Sequence, residues 1–301
     1  MQTDIRDFEL HFTQYRVSTI TCNADIGEKI NIDLHVLFKN IEIGDGNDSF
    51  IWIQYLKEDN ENVRGVYPKK KRKSKVISTR KNRFDNQITV IYKYNNEYMP
   101  NIKIFKNGNI QLTGIKSFEH PRIIIDAIIK NIKRIYKYNN DILIVDKDDD
   151  KAIDRLEYRN FQVRMINTDF KIYTDPEHIE RFNIRRKELH NILIGPQYNN
   201  KCSFQPGVYQ GVKLEYFWNT HNNVKNGICS CSENCFGKQK GEGNGNCKKV
   251  TVAIFESGSV LITGGITFEQ VNDAYGYICN IIRDNKIAVK KQVLNELMTM
   301  T

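Results

Sequence analysis

The sequence predicts an α+β fold built from two pseudo-symmetric half-domains. A segment that begins at residue 104 is repeated from residue 254, and each copy has the pattern strand, turn, strand, amphipathic helix. The 301-residue chain contains 40% hydrophobic and 27% charged residues, a composition typical of a folded protein and not of a disordered one. We place the half-domains at 10–140 and 155–290.

The repeat is clearest between IFKNGNIQLTGIKSFEHPRIIIDAIIKNIK (104–133) and IFESGSVLITGGITFEQVNDAYGYICNIIR (254–283), which align without gaps. The identical pairs are Ile104/Ile254, Phe105/Phe255, Gly108/Gly258, Thr113/Thr263, Gly114/Gly264, Phe118/Phe268, Glu119/Glu269, Ile128/Ile278 and Ile132/Ile282. Two copies with a long period indicate a duplicated half-domain and exclude a solenoid.

Each copy predicts the same elements in the same order. A short apolar strand ends in Ile-Phe, and a tight turn follows at Gly108 or Gly258, where glycine accepts a positive φ. The second strands are expected over 109–113 and 259–263. Ser117 and Thr267 are the predicted N-caps of the helices, whose isoleucines recur at helical spacing.

Upstream, the repeat is weaker but keeps its order. Alternating segments over 17–21 and 160–165 predict strands, and helix-like patches follow at 30–41 and 175–193. The tripeptide Gly65-Val66-Tyr67 then echoes Gly207-Val208-Tyr209.

The motif Ile-Phe-x-x-Gly-x-x-x-x-Thr-Gly, present twice, and the segment FQPGVY (204–209) resemble the TATA-binding protein family. The resemblance implies a saddle-shaped antiparallel sheet with helices on its convex face. It also implies that the concave face lies in the DNA minor groove, where aromatic wedges open base steps. TATA-binding protein itself kinks DNA by about 80°, a value that belongs to that protein.

The resemblance assigns roles to individual residues. Phe105 and Phe255 are the expected wedges, although phenylalanine at a strand end more often belongs to the core. The partner ring is Phe204 or Tyr209 in the C-terminal half, and Tyr67 or Phe84 in the N-terminal half. The residues expected on the concave floor are Val17, Thr113, Asn160, Leu261 and Thr263.

Several residues depart from the family pattern. Asn160 matches a central asparagine of the family that can donate to groove acceptors, but a turn at a strand edge explains it equally well. Tyr15 stands where the family has a second asparagine, and Lys103 and Gln111 occupy floor positions that are usually apolar. These departures favour sequence-tolerant binding as the alternative to TATA selectivity.

The charge balance also points to a polyanionic partner. Lys plus Arg total 45 and Asp plus Glu total 36, so the formal net charge is +9, although many ordinary surfaces carry such an excess. The densest basic run contains Lys69, Lys70, Lys71, Arg72 and Lys73. It fits a nuclear localisation signal, an arm that contacts phosphates, or a solvated loop.

Cysteine spacing suggests one metal site. The chain has 7 cysteines, an odd number that excludes complete pairing within the chain. Four of them form a short cluster: Cys229, Cys231, Cys235 and Cys247. Four thiolates can bind zinc, whereas the alternatives are a flexible cysteine-rich loop or a hairpin disulfide. No other cofactor is expected.

The resemblance implies a DNA-binding transcription initiation factor. An enzyme is not expected, since the 6 histidines are scattered outside any catalytic or metal-ligand motif. The resemblance implies double-stranded DNA, a transcription-factor-IIB-like protein and RNA polymerase as partners. The alternative is a sequence-tolerant architectural or protein-interaction saddle that has lost TATA preference. No apolar run reaches the ~18 residues of a membrane span. We therefore expect an intracellular protein of the nucleus or a viral replication compartment, from a large DNA virus or a divergent eukaryote.

Overall fold

The computed structural model describes residues 8–55, 62–68, 86–144 and 151–291. Within these ranges the chain divides into two compact units. The N-terminal unit is Thr19–Arg164, and the C-terminal unit combines the described residues up to Ser18 with those from Met165 onward. Both dividing points fall inside long strands, so each of those strands contributes to two units.

The N-terminal unit contains an antiparallel sheet whose strand order is β4-β3-β5-β6-β7-β2. Its strands are β2 (Arg16–Asp25), β3 (Ser49–Tyr55), β4 (Val63–Gly65), β5 (Gln87–Lys93), β6 (Asn101–Phe105) and β7 (Asn109–Ile115). Its helices are α1 (Leu34–Asn40) and α2 (His120–Tyr136), and two 3-10 turns follow at Asn140–Ile142 and Ala152–Arg155.

The C-terminal unit repeats this plan with the strand order β8-β12-β11-β10-β9, and β1 pairs with β8. Its strands are β1 (His11–Phe12), β8 (Arg159–Tyr173), β9 (Lys201–Gln205), β10 (Tyr209–Trp218), β11 (Lys248–Ile254) and β12 (Ser259–Gly265). Its helices are α3 (Arg186–Ile194), α4 (Phe268–Asp284) and α5 (Lys286–Val289). The predicted α+β fold class is confirmed.

Alternation along the strands decides which face of each sheet is covered. On β6 and β7, Ile102, Ile104, Ile110 and Leu112 are buried, and α2 packs on this side through its isoleucines. In the C-terminal unit, α4 packs against β11 and β12 in the same way. The side chains between these buried positions point to the opposite face of each sheet, which we call the open face.

The helix starts differ between the two repeats. Thr267 caps α4 as predicted, since its Oγ1 accepts a hydrogen bond from the backbone N–H of Gln270 at 3.3 Å. The prediction for Ser117 is wrong, because α2 begins later, with Glu119 at its N-cap. Pro121 favours this later start. Proline is common in the first turn of a helix, because the backbone N–H that it lacks would have no partner there.

The helix-like patches upstream become shorter helices than the sequence pattern suggests. The patch at 30–41 contains α1, which Asp33 caps by accepting from Val36 N–H at 2.9 Å. The patch at 175–193 overlaps α3, which starts only at Arg186.

The tripeptides Gly65-Val66-Tyr67 and Gly207-Val208-Tyr209 are similar in sequence but are not structurally equivalent. Gly65 ends β4, an additional edge strand paired with β3. Gly207 lies in the turn between β9 and β10. None of the helices in the described ranges combines the length and hydrophobicity needed to cross a bilayer.

Candidate nucleic-acid interface

Phe105 and Phe255 lie at matching places in the two units. Phe105 is the last residue of β6, and Phe255 directly follows β11. The carbonyl of each accepts a hydrogen bond that closes the next turn, from Gly108 N–H at 3.0 Å and from Gly258 N–H at 3.1 Å. Both side chains are half-buried and neither belongs to the core, so the rings stand at the rim of each sheet.

Phe255 forms an aromatic pair with Tyr209 from the neighbouring strand. Their ring centroids are 5.7 Å apart and the rings are inclined by 58°. A glycine beneath them makes room, because a Cβ on Gly211 would lie 2.9 Å from Tyr209 Cε1 and 3.2 Å from Phe255 Cε1. The Nζ of Lys213 lies 4.0 Å from the Tyr209 ring centroid, so a cation accompanies the pair.

Phe204, the other candidate for that partner ring, lies on the opposite face of the sheet. Cys202 lies two residues before Phe204 on β9 and pairs with the buried Leu214. This pairing assigns the even-numbered residues of β9 to the helix side. The Phe204 ring lies near His190 of α3, with centroids 6.3 Å apart, and 5.4 Å from the guanidinium carbon of Arg186.

In the N-terminal unit the open face is polar. Thr89 pairs with Lys103, Lys103 with Gln111 and Gln111 with Asn23, so one row of polar side chains crosses four strands. Thr113 lies in the next row, opposite Asn101, whose carbonyl accepts from the Thr113 hydroxyl at 3.3 Å.

A cavity of about 500 Å³ adjoins Phe105 on this face and is lined mainly by amide and carboxylate side chains, among them Asp25, Gln111 and Asn160. Asn160 is exposed and has a φ of 51°, which asparagine adopts more readily than most residues. Its Nδ2 donates to Asp25 Oδ2 at 2.6 Å. The positive φ and the bond to Asp25 fit a residue at a strand-edge turn, and the contact of Asn160 with DNA stays a prediction.

In the C-terminal unit the corresponding positions are less polar. Thr263 pairs with Thr251, and Leu261 pairs with Ala253, so Leu261 and Ala253 stand where Gln111 and Lys103 stand in the first repeat. Val17, in the short described N-terminal part of this unit, is half-buried on β2.

An ion-pair triad lies at the edge of this open face. Glu215 binds Lys201 at 2.9 Å and Lys249 at 3.1 Å. Burial raises the pKa of Glu215, but the hydrogen bonds and positive charges of the two lysines together outweigh it, and the net pKa lies below the ordinary value.

Tyr67 has a different environment from Tyr209. Its side chain is 55% exposed, and its ring contacts Trp52 of β3 with centroids 5.0 Å apart. Trp52 belongs to a small apolar cluster with Ile51 and Ile91. Phe84 and the basic run Lys69–Lys73 lie outside the described residues.

The four clustered cysteines come together in the segment between β10 and β11. Their sulphur atoms all lie within 4.8 Å of one another. Cys247 is buried, and Cys229, Cys231 and Cys235 are half-buried. This arrangement of thiols could hold a metal ion.

Sequence reasoning missed three residues of the open faces. Gly211 was detectable as a glycine inside a strand, two residues after Tyr209, a position that often marks a close approach. Asn23 and Asn167 each have a buried Oδ1 without a hydrogen-bond partner among the described residues. Only the register of β2 and β8 reveals that these two side chains lie on the open faces.

The chain matches a curated protein named "TATA-box-binding protein-like" from Acanthamoeba polyphaga mimivirus. The two are 26% identical over 288 residues, which cover 89% of this chain and 64% of the relative. The predicted resemblance to TATA-binding proteins is confirmed. The chain thus corresponds to about two thirds of the length of its TATA-box-binding-protein-like relative.

The structure of Methanococcus jannaschii TBP matches with a TM-score of 0.42 and 16% sequence identity, over 90% of this chain and 99% of that chain. No protein-family model matches the chain.

Proposed function

We propose that the chain binds double-stranded DNA through the open faces of its sheets, in the minor groove, and acts without covalent chemistry. The pair formed by Tyr209 and Phe255 carries the proposal. Two rings held side by side at a strand rim, over a glycine that leaves room for them, suit insertion between base pairs. A net charge of +9 favours association with a polyanion.

The wedge in the C-terminal unit consists of Phe255 and Tyr209. Phe204 is the less suitable partner, because its ring packs beside α3 on the helix side. In the N-terminal unit, Phe105 is the corresponding wedge, next to the cavity lined by Asp25 and Asn160. Partial unstacking at these steps costs a few kcal/mol, which added contact with the bent duplex offsets.

The floor residues support contact with the groove by two different means. Leu261 and Thr263 offer small or apolar side chains that fit against the sugar edges. Lys103 and Gln111 instead donate hydrogen bonds, which adenine N3 and thymine O2 accept in the minor groove. The two units therefore contribute unequally to recognition.

The similarity to the TATA-box-binding-protein-like relative supports a role in transcription initiation. The partners in this role would be a transcription-factor-IIB-like protein and an RNA polymerase. The protein would act where its genome is transcribed, in the nucleus or a viral replication compartment.

The polar row across Lys103 and Gln111 supports a second candidate function, sequence-tolerant DNA binding without TATA preference. Donors at these positions serve A·T and G·C pairs alike, since guanine and cytosine also present minor-groove acceptors. A competition titration of a TATA duplex against a GC-rich duplex at fixed salt separates the candidates. A clear preference for TATA supports the initiation factor, and equal affinity supports the sequence-tolerant protein.

DNA bending tests the proposal itself. Fluorescence energy transfer between the ends of a short duplex reports the bend, and a Phe105→Ala plus Phe255→Ala variant is expected to lose it. Phe204→Ala is the matched control, because it removes the same ring from the helix side. Unchanged binding and bending in the double variant would contradict the proposal and favour a protein ligand for the open faces.

A further inference from the structure

We propose that the cysteine cluster is a structural zinc site that binds one Zn²⁺ through four thiolates. The ligands are Cys229, Cys231, Cys235 and Cys247, which the fold of the 219–247 loop brings together. This site lies within the C-terminal unit and does not depend on DNA binding.

The sulphur positions suit a tetrahedral ion. A Zn–S bond of about 2.3 Å in tetrahedral geometry separates the sulphur atoms by about 3.8 Å. The Sγ of Cys247 lies 3.4 Å from that of Cys231 and 3.7 Å from that of Cys229. A disulfide would need about 2.05 Å, and all four cysteines are free thiols.

The surroundings of the sulphurs match those of metal-bound thiolates. The backbone N–H groups of Gly237 and Cys247 donate hydrogen bonds to the Sγ of Cys235. The Nδ2 of Asn219 donates to the Sγ of Cys247 at 3.5 Å. Outer donors of this kind orient ligands and stabilise their negative charge.

The loop lacks a core that could hold it in place. Between Thr220 and Asn246, the only buried residues are Gly227, Gly237 and Gly241. The larger apolar side chains point outward, since Phe236 is 74% exposed and Val224 is 67% exposed. A loop of this length without a core needs a cross-link, and a metal ion bound by four residues provides one.

The three buried glycines show where the loop packs against the sheet. An added Cβ would lie 2.6 Å from Tyr216 at Gly227, 2.9 Å from Phe217 at Gly237 and 2.3 Å from Trp218 at Gly241. The loop backbone thus lies directly on three successive aromatic side chains of β10. Gln270 of α4 also donates to the Lys240 carbonyl at 2.8 Å. The bound ion would hold the loop in this position, packed against the end of the sheet.

The chemistry of the ligands favours zinc. Four thiolates select zinc or iron among the common metals, and a closed set of four ligands leaves no position open for a substrate. The site is therefore structural, with no catalytic role.

Metal analysis of the purified chain tests the site. We expect one zinc per chain, and visible absorption bands of tetrahedral cobalt thiolate when Co²⁺ replaces it. Cys235→Ser should lower the zinc content several-fold, whereas Cys202→Ser, a half-buried cysteine of β9 outside the cluster, should not. Iron in place of zinc, or full zinc retention in Cys235→Ser, would overturn the proposal.

A second measurement avoids variants that fail to fold. Chelation of the wild-type protein should accelerate tryptic cleavage after Lys225, Lys238 and Lys240, while circular dichroism still reports the sheets. Unchanged cleavage, or a mass that shows disulfides among these cysteines in reducing buffer, would count against a metal.

Discussion

The ring of Tyr209 rests beside that of Phe255 with 5.7 Å between their centroids, and Gly211 lies beneath both. This contact depends on the missing side chain at Gly211. We expect Gly211→Ala to push the rings apart, because the new methyl group would lie 2.9 Å from Tyr209. The DNA bend measured by energy transfer should decrease.

Gly207→Ala is the matched control for this change. A Cβ at Gly207 would meet no atom within 4 Å, so its bend should equal that of the wild type. Equal bends in the two variants would show that the spacing of the rings has no role in bending.

The row across β6 and β7 gives a prediction about sequence selectivity. The variant Lys103→Ala plus Gln111→Leu copies the Ala253–Leu261 pair of the second repeat onto the first. The apolar pair would leave the N2 amino group of guanine without the acceptor that the Gln111 amide oxygen offers. The preference for A·T-rich over G·C-rich duplexes should therefore increase, by about tenfold if one discriminating contact of about 1.4 kcal/mol changes.

Competition titrations at constant salt measure this ratio. Ser203→Ala, at an exposed position of β9 next to Lys213, is a control outside the row. An unchanged ratio in the double variant would show that the open face of the N-terminal unit does not contribute to sequence recognition.

The helix caps allow a comparison within the chain. Thr267→Ala removes the Oγ1 acceptor at the start of α4 and should lower the free energy of unfolding by about 1 kcal/mol. Ser117→Ala should cost much less, because α2 starts at His120 without a side-chain cap from its N-cap residue. Urea unfolding of the three proteins measures both differences, and equal losses would contradict this assignment.

The ion pairs of Glu215 lead us to expect that the protein becomes less stable at acid pH. The folded-state pKa of Glu215 lies below the ordinary value of 4.5, because the hydrogen bonds and positive charges of Lys201 and Lys249 together outweigh burial. The resulting stabilisation is present above pH 4.5 and is lost as the pH falls through the folded-state pKa. The free energy of unfolding should therefore fall more steeply between pH 5 and pH 3 in the wild type than in Glu215→Gln. Parallel curves would show that the triad contributes nothing.

The sequence was sufficient to predict the β6–β7 and β11–β12 hairpins and the helices α2 and α4 that follow them. The pattern of Ile104, Phe105 and Gly108, duplicated at 254–258, fixed two strand ends and two turns. The three-residue strand β4 escaped prediction, because so short an edge strand has no detectable periodicity.

The side on which a ring lies was harder to predict. Phe204 and Tyr209 looked equally suitable, since both flank the same turn. Successive strand residues alternate between faces, so the pairing of Cys202 with Leu214 decides that Phe204 belongs with the helices. That register includes a shift between Tyr209 and Lys213, which composition and spacing do not reveal.

The unequal open faces have a consequence for orientation. A protein with identical halves would accept a near-symmetric duplex in either direction. Here one repeat presents Lys103 and Gln111 where the other presents Ala253 and Leu261, so a duplex held by both would have a preferred polarity. If the proposed DNA binding holds, this dissimilarity would give the bound duplex a direction.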